Sequence, residues 1–334
     1  MALHSLKLLS LHPNSYLMST RAIPLVDLSK YTNGSIEDKQ QFVADLGNAF
    51  HNVGFVGVIN HGIPKALVDE FYADAKAFFA LPVDVKRSYE VSGLAGQRGY
   101  TSFGKEHAKQ STVGDLKEFF QIGQTVTDAD AIKSEYPDNV DVKELTNFTD
   151  KGNELYKAFE KSGSHLLAAI GEFLGLGNQY FAPKIHNGNS ILRAIHYPPI
   201  TEEPKTAIRS EQHEDINLIT LLVGASAGGL QVLNLQGQWL DVIPEADEIV
   251  VNVGDMLQRL TNNHLISTTH RVVNPPREEW HNPRLSIPFF LHPRSDMDLT
   301  CLGQCVTDSN PLHYEPITAG EYLNERLREI GLKK

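Results

Sequence analysis

Three stretches of sequence organise the chain: Gln-His-Glu-Asp-Ile-Asn-Leu at 212–218, Thr-Thr-His-Arg-Val-Val at 268–273 and Pro-Arg-Leu-Ser-Ile-Pro-Phe-Phe at 283–290. The residues between the first two stretches read as several short strands, which are enough to bring a later strand back alongside the first. We therefore expect polar side chains from all three stretches to meet at one place in the fold.

Two histidines and an aspartate in these stretches predict a metal site. Residues i and i+2 of an extended strand face the same way, so His213 and Asp215 can reach one ion while Glu214 turns away. His270 would come from a later strand. Two imidazoles and one carboxylate suit non-haem Fe(II), because this donor set leaves neighbouring coordination positions open. We predict that His213, Asp215 and His270 bind Fe(II) and form the catalytic centre.

Arg284 and Ser286 show the same alternation in the third stretch. A guanidinium fork and a hydroxyl that face one cavity are well suited to bind a carboxylate. A single His-x-Asp pair occurs by chance in many proteins. The ordered set of His-x-Asp, a distant His and then Arg-x-Ser is far more specific.

Further stretches make the sequence resemble a known family, the Fe(II)- and 2-oxoglutarate-dependent oxygenases of the isopenicillin N synthase-like group. Ile-Pro-Leu-Val-Asp-Leu-Ser at 23–29 is similar to the family's opening strand, and Gly-Phe-Val-Gly-Val-Ile-Asn-His-Gly-Ile-Pro at 54–64 to its N-terminal signature. Other matching stretches are 115–120, 196–199, 254–259 and 267–275. The resemblance covers residues 23–293, with the motifs in the family's order.

The resemblance implies roles for the site residues. The His-Asp-His set would bind iron, while Arg284 and Ser286, joined by the phenol of Tyr197, would hold the distal carboxylate of the cosubstrate 2-oxoglutarate. Several members have an asparagine two residues before that tyrosine, where this chain has Ile195. The implied reaction uses O2, usually hydroxylates a small molecule, and releases succinate and CO2. Ascorbate would support it in vitro.

Two other functions use the same residues. Cosubstrate-independent iron oxidases of the family, which close rings or form alkenes, keep Arg-x-Ser and bind the substrate carboxylate with it, here through Arg284. A non-catalytic sensor of a small acid could also retain the fold and the carboxylate clamp formed by Arg284 and Ser286. A pure binding protein does not need three metal ligands, so the intact triad weighs against the sensor.

The residues that line the substrate pocket are predicted from their places near the site motifs and in the resembled family. The glycine-rich segment 93–104 resembles a segment near the mouth of the site in the family. The predicted substrate contacts are Arg98, Tyr100, Phe119, Phe120, Leu218 and Phe290. Lys117 and Glu118 are interpreted as a surface or local ion pair, and His196 should point away from the site. His264, His281, His292 and His313 are interpreted as surface or hydrogen-bonded histidines.

Composition limits the partners. The net charge of −11 argues against nucleic acid, because phosphate binding relies on clustered Lys and Arg. No apolar run reaches the roughly 20 residues that a membrane-spanning helix needs. The two cysteines, Cys301 and Cys305, are too few for a disulfide framework, so we predict a reducing, cytoplasmic location.

The fold class predicted is α+β with a mainly β core. Many short runs separated by Gly or Pro indicate a sandwich or jelly roll, and the resembled family has a double-stranded β-helix, a jelly roll flanked by helices. The predicted strands are 55–59, 191–197, 218–223, 230–233, 239–242, 249–253, 266–273 and 284–291. The predicted regions are a disordered extension at 1–20, with Met18 a more natural start than Met1, a helix and strand region at 21–140, a long supporting helix at 141–180, the jelly-roll core at 188–295 and a C-terminal segment with a terminal helix at 296–334.

Overall fold

A computed structural model describes residues 21–94, 96–107, 113–127, 129–330 and 332–333. The predicted N-terminal extension and the choice between Met1 and Met18 lie outside these residues. In chain order the strands are β1 Leu25–Asp27, β2 Phe55–Ile59, β3 Gly99–Thr101, β4 Glu118–Gly123, β5 Ile191–Tyr197, β6 Ser210–His213, β7 Ile219–Val223, β8 Leu230–Leu233, β9 Trp239–Asp241, β10 Ile249–Val253, β11 His270–Val272 and β12 Arg284–Leu291. The helices are α1 Leu28–Asn33, α2 Ile36–Asn52, α3 Lys65–Phe79, α4 Val83–Arg87, α5 Phe148–Phe173, α6 Ala182–Ile185, α7 Asp255–Leu260 and α8 Ala319–Glu329, with short 3-10 turns at Ala131–Glu135, Arg277–Glu279 and Gly303–Cys305.

Two sheets form the core of the described part of the chain. The larger has eight strands in the order β1-β2-β10-β7-β12-β5-β4-β3, and the smaller has four in the order β6-β11-β8-β9. All neighbouring strands are antiparallel except β1 and β2. The predicted class, a mainly β jelly-roll core flanked by helices, is confirmed.

The two faces of β12 explain how the large sheet is held. Alternate residues of this strand, Leu285, Ile287, Phe289 and Leu291, join the main hydrophobic cluster. The ring of Phe159 from α5 stacks on Phe289 with centroids 5.5 Å apart. Each such buried side chain contributes about 1.5–3 kcal/mol of hydrophobic free energy. The other alternate positions of β12, Arg284, Ser286, Pro288 and Phe290, face a cavity inside the jelly roll.

The supporting helix is shorter than the predicted 141–180 region. It begins at Phe148, because Asn147 has a φ of 65°, a left-handed conformation that a helix interior cannot contain. It ends at Phe173, and Gly175 just beyond is also left-handed, with a φ of 71°. Leu145, whose apolar spacing suggested an earlier start, lies in the turns before the helix.

Two helix starts carry the caps that their sequences indicate. Ser35 and Asp38 form a reciprocal capping box at the start of α2. Thr318 and Glu321 form another at the start of α8.

Both thiols, Cys301 and Cys305, are free and buried. Within the described ranges, every helix is too short or too polar to cross a bilayer.

Candidate active site

A cavity of about 730 Å³ lies between the two sheets. One stripe of its wall comes from alternate residues of β12 and the residue that follows the strand: Arg284, Ser286, Pro288, Phe290 and His292. A second stripe comes from alternate residues of β5: Ile191, Arg193, Ile195 and Tyr197. Because β5 and β12 are neighbours, with Arg284 opposite Tyr197 and Phe290 opposite Ile191, the two stripes run side by side along the cavity.

The His-Asp-His set lies on the opposite wall of the cavity. His213 ends β6 and His270 begins β11, and the two are direct partners in the antiparallel register. The spacing predicted that Asp215 belongs to the same strand as His213. Instead, Asp215 lies in the loop just after β6. One donor atom from each of the three residues lies within 4.8 Å of the others. The structure therefore brings the predicted metal ligands together.

Backbone carbonyls orient both imidazoles. His213 Nδ1 donates to the carbonyl of Glu211 at 2.7 Å, and His270 Nδ1 donates to that of Thr268 at 3.1 Å. A carbonyl only accepts, so each Nδ1 carries the proton and each Nε2 presents a lone pair. Both Nε2 atoms are 3.8 Å from Asp215 Oδ1. In this tautomer Nε2 is the nitrogen left to bind a metal.

Asp215 divides its two oxygens between two tasks. Its Oδ2 accepts hydrogen bonds from Thr220 Oγ1 at 2.6 Å and from Asn252 Nδ2 at 2.8 Å, which leaves Oδ1 towards the histidines. Burial alone would raise the pKa of Asp215, but His270, His213 and these two hydrogen bonds lower it. Burial and the neighbouring His270 lower the pKa of His213. All these shifts favour the deprotonated forms that bind metals.

Thr220→Val tests this orientation of the carboxylate. We expect metal affinity to fall by about 10-fold to 100-fold, because partners that orient a ligand typically contribute that much. The substitution keeps the side-chain shape and removes the hydroxyl that holds Asp215. Titration of the full-length protein with Fe(II) under anaerobic conditions would measure it. An unchanged dissociation constant would mean that Asn252 alone orients the carboxylate.

Arg284 lies at the first end of the β12 stripe, and its side chain is only 2% exposed. Its Nε donates to the carbonyls of Ala227 and Gly228 at 3.1 and 3.2 Å, and its Nη1 donates to Ser286 Oγ at 3.2 Å. The guanidinium carbon is 5.0 Å from the centre of the Tyr197 ring. Among the described residues no carboxylate pairs with this buried cation. Burial of a charge is costly without a counter-charge, so an anion placed beside Arg284 would be stabilised.

A buried ion cluster borders the cavity, where the sequence had suggested a surface or local pair between Lys117 and Glu118. The Nζ of Lys117 contacts Asp115 Oδ2 at 2.7 Å, Glu106 Oε1 at 2.9 Å and Ser210 Oγ at 3.1 Å. Glu118 points to the other face of β4 and pairs with Lys86 at 2.7 Å. Burial alone would raise the pKa of Glu106, but Arg193 and Lys117 lower it to about 2. The cluster ties β4 to β6, the strand that ends at His213.

We expect Glu106→Gln to destabilise the fold by about 3 kcal/mol, because Lys117 and Arg193 would then face a neutral amide while buried. The folded pKa of Glu106 lies below its ordinary 4.5, so its contribution is present above pH 4.5 and is lost as the pH falls towards 2. Denaturant unfolding should therefore separate the variant from wild type strongly at neutral pH and weakly in acid. The exposed Glu278→Gln is the matched control, and equal stability at neutral pH would refute the expectation.

Arg193 and His292 line the cavity but were not among the predicted site residues. Arg193 lies between two aromatic rings, with its guanidinium carbon 4.1 Å from the centre of Phe119 and 5.1 Å from that of Phe290. His292, interpreted from sequence as a surface or hydrogen-bonded histidine, is 7% exposed and lines the cavity. Its Nδ1 has no hydrogen-bond partner within the described ranges. Burial lowers the pKa of His292 to about 4, so the ring is neutral.

The predicted substrate contacts are only partly placed at the cavity. Phe290 lines it, and Phe119 lies beneath Arg193. Tyr100 donates to Glu118 on the outer face of the sheet. Phe120 and Leu218 are buried in the main hydrophobic cluster. Because they face the core, these three are not cavity residues. The same correction applies to Arg98, which is 1% exposed and packs against Gly123.

His196 points away from the cavity, as strand alternation predicted. Its Nδ1 contacts Glu118 at 2.8 Å, and its ring stacks on Phe79 with centroids 5.0 Å apart. His196 therefore belongs to the outer face of the sheet.

Comparison with known proteins settles the family. A model of the N-terminal region of the non-haem dioxygenases in morphine synthesis matches residues 23–144, and a model of the 2OG-Fe(II) oxygenase superfamily matches residues 188–293. Over 90% of its length the chain is 32% identical to the 2-oxoglutarate-dependent dioxygenase htyE of Aspergillus rugulosus, of which it covers 97%. The chain belongs to the 2OG-Fe(II) oxygenase superfamily. The resemblance read from the sequence is confirmed.

Solved structures support the same assignment for this oxygenase. A 2OG-Fe(II) oxygenase family protein from Caulobacter crescentus is 44% identical, with a TM-score of 0.84, and the match covers 93% of this chain and 100% of that one. A full-length Neurospora crassa protein, solved in complex with alpha-KG and thymine, is 30% identical with a TM-score of 0.81, covering 92% and 96% of the two chains. The protein is thus an oxidoreductase that uses Fe(II) and 2-oxoglutarate with O2.

Proposed function

We propose that this oxygenase hydroxylates a small organic molecule, with succinate and CO2 as coproducts. In this proposal His213, Asp215 and His270 hold Fe(II), and the distal carboxylate of 2-oxoglutarate is bound by Arg284, Ser286 and Tyr197. The observation that carries the proposal is one cavity that joins a cluster of three metal-binding side chains to a buried guanidinium without a counter-ion among the described residues.

The donor set fits the ion. Both histidines present Nε2 and the aspartate presents Oδ1, and all three residues line the cavity. Two imidazoles and one carboxylate suit Fe(II) and leave other coordination positions open to the cavity. When bound, Fe(II) supplies the redox chemistry that couples oxidation of 2-oxoglutarate to oxidation of a C–H bond by O2.

The chain's own residues bind and orient the reactants. Thr220 and Asn252 keep Asp215 Oδ1 directed at the histidines. Arg284 donates from a fixed fork, because the carbonyls of Ala227 and Gly228 hold its Nε, and this fixes the orientation of the bound carboxylate. Apolar side chains such as Leu222 and Val250 also line the cavity and reduce the access of water.

The size of the cavity supports a small-molecule substrate. Its volume of about 730 Å³ lies in the usual range for small-molecule sites, roughly 300–1,000 Å³, and must also contain the cosubstrate. Thymine, the ligand named for the Neurospora crassa structure, is also small. We therefore propose a substrate of about that size.

Conversion of 2-oxoglutarate to succinate tests the proposal without knowledge of the substrate. The purified protein, loaded with Fe(II) under anaerobic conditions and then given ascorbate and air, should form succinate slowly and only when iron is present. A parallel binding titration should show that 2-oxoglutarate binds the Fe(II) form. If the protein neither turned over nor bound 2-oxoglutarate, the role of Arg284 as a 2-oxoglutarate clamp would be refuted. That result would favour a cosubstrate-independent oxidase that binds a substrate carboxylate there.

A further inference from the structure

We infer that Arg193 and His292 bind a neutral, planar amide group of the substrate: a carboxamide, a lactam or an imide. The inference deepens the proposed function and rests on it, because it places a substrate in the cavity that also contains the metal ligands. Neither residue belongs to the metal triad or to the carboxylate clamp, and both line the cavity.

The guanidinium of Arg193 is held in place, but not all of its nitrogens donate hydrogen bonds to the described residues. Its Nε donates to Gln121 Oε1 at 2.9 Å, and its Nη1 donates to both carboxylate oxygens of Glu106 at 3.2 Å. The rings of Phe119 and Phe290 hold the guanidinium from two sides. Within the described ranges no hydrogen bond uses Nη2, so this nitrogen remains free to donate to a ligand in the cavity.

The charges around Arg193 are already balanced. Two buried cations, Arg193 and Lys117, face two buried carboxylates, Glu106 and Asp115. A negatively charged substrate group would therefore enter without a countercation of its own, and burial of an uncompensated charge is costly. Arg284 differs, because it has no such carboxylate partner among the described residues. The two arginines thus select different ligands, an anion at Arg284 and a neutral acceptor at Arg193.

His292 supplies the second contact. It is buried, lines the cavity, and has an Nδ1 without a partner in the described part of the chain. No hydrogen bond among the described residues uses either ring nitrogen of His292, so the imidazole can pair with a ligand in the cavity. The backbone of His292 is fixed, because its N–H donates to Ser190 Oγ at 3.0 Å and its carbonyl accepts from the same hydroxyl at 3.3 Å.

An amide matches this pair of residues. The guanidinium only donates, so it requires an acceptor such as a carbonyl oxygen. A neutral imidazole has one nitrogen with a lone pair, which can accept from the N–H next to that carbonyl. An amide carries both groups side by side in one plane and has no net charge. A carboxylate offers acceptors to the guanidinium, but it has no N–H to donate to the imidazole and it carries a charge.

The position of the pair is consistent with substrate recognition. His292 and Arg284 lie at opposite ends of the β12 stripe, eight residues apart, which is roughly 26 Å of extended strand. Arg193 comes from the neighbouring strand, four residues before Tyr197. The cosubstrate clamp and the inferred amide site are therefore separated along one wall, and the metal ligands face both from the other.

Binding of small probes would test the inference. The full-length protein, loaded with Fe(II) and 2-oxoglutarate under anaerobic conditions, would be titrated with benzamide, uracil and 2-pyrrolidinone and, as charged counterparts, with benzoate and orotate. Ligand-observed NMR would give the dissociation constants. We expect the neutral probes to bind at least about tenfold more tightly than the carboxylates. Binding of the carboxylates alone, or of no neutral probe, would overturn the inference.

Variants would assign the binding to these residues. Arg193→Lys and His292→Phe should each weaken the neutral probes by about tenfold, since each removes one hydrogen bond. His292→Asn, which retains a donor and an acceptor, should lose less than His292→Phe. The exposed pair Arg277→Lys and His281→Phe provides matched controls. Equal effects at the exposed and the cavity positions would refute the assignment.

One further measurement separates the two proposals. Binding of 2-oxoglutarate to the wild-type Fe(II) protein is measured first, without any probe. Its absence would overturn the proposed function. If 2-oxoglutarate binds and the neutral probes do not, only the inference about Arg193 and His292 fails.

Discussion

Asp215→Ala should abolish iron-dependent formation of succinate from 2-oxoglutarate. The substitution removes the only anionic donor of the metal triad and leaves Thr220 and Asn252 without the oxygen to which they donate. Partners that merely orient a ligand are typically worth 10-fold to 100-fold, so loss of the ligand itself should lower turnover by at least about 100-fold. Succinate would be quantified in single-turnover and steady-state assays with equal iron added to variant and wild type.

The control for this loss is Asp308→Ala, an exposed carboxylate far along the chain from the triad. It should retain the wild-type rate. Circular dichroism and thermal unfolding of the metal-free proteins would show whether Asp215→Ala is folded. A folded Asp215→Ala protein that still turned over 2-oxoglutarate in proportion to iron would remove Asp215 from the proposed ligand set.

Arg284→Met should raise the dissociation constant of 2-oxoglutarate by on the order of 30-fold to 3,000-fold, because loss of one partner of a buried charge pair costs about 2–5 kcal/mol. Methionine retains much of the length and the apolar contact with Tyr197 but has neither charge nor donors. Arg284→Lys should recover part of the loss, since an ammonium keeps the charge and loses the planar fork. Calorimetric titration of the anaerobic Fe(II) protein measures all three.

Ser286→Ala provides a graded comparison at the same clamp. A single hydroxyl donor contributes about 1 kcal/mol, so this variant should weaken 2-oxoglutarate only about fivefold. Iron affinity should not change in either variant, because neither residue is in the triad. Wild-type affinity for 2-oxoglutarate in Arg284→Met would show that the cosubstrate binds elsewhere, whatever the result for Ser286.

Much of the fold could be predicted from local pattern. The runs at 191–197, 230–233, 249–253 and 284–291 are strands with the predicted bounds. They are continuous apolar or alternating runs, buried on at least one face, and such runs are strong signals. The predicted strand at 266–273 was wrong in its bounds, because only His270–Val272 is a strand. Ser267 N donates to the side chain of Gln258 instead of a neighbouring strand, a tertiary contact that local sequence does not reveal.

For the site, the order of motifs predicted which residues meet, and tertiary packing decided the rest. Strand alternation from Tyr197 leads to Arg193, and alternation from Ser286 leads through Phe290 to His292. The alternation in the sequence therefore indicates both residues, although the predicted contacts extended only to Phe290. Leu218 and Phe120 could not be placed from sequence, because an apolar residue beside a cavity and one in the core look alike.

The pairing of His213 with His270 across β6 and β11 has a consequence for stability. These strands have only four and three residues, so few backbone hydrogen bonds join them. A metal ion bound by both side chains would act as a staple across the strand pair, and its binding free energy would add to the local stability of the small sheet. Loss of iron would then open this sheet to amide exchange with solvent, while the large sheet, covered by α5, would remain protected.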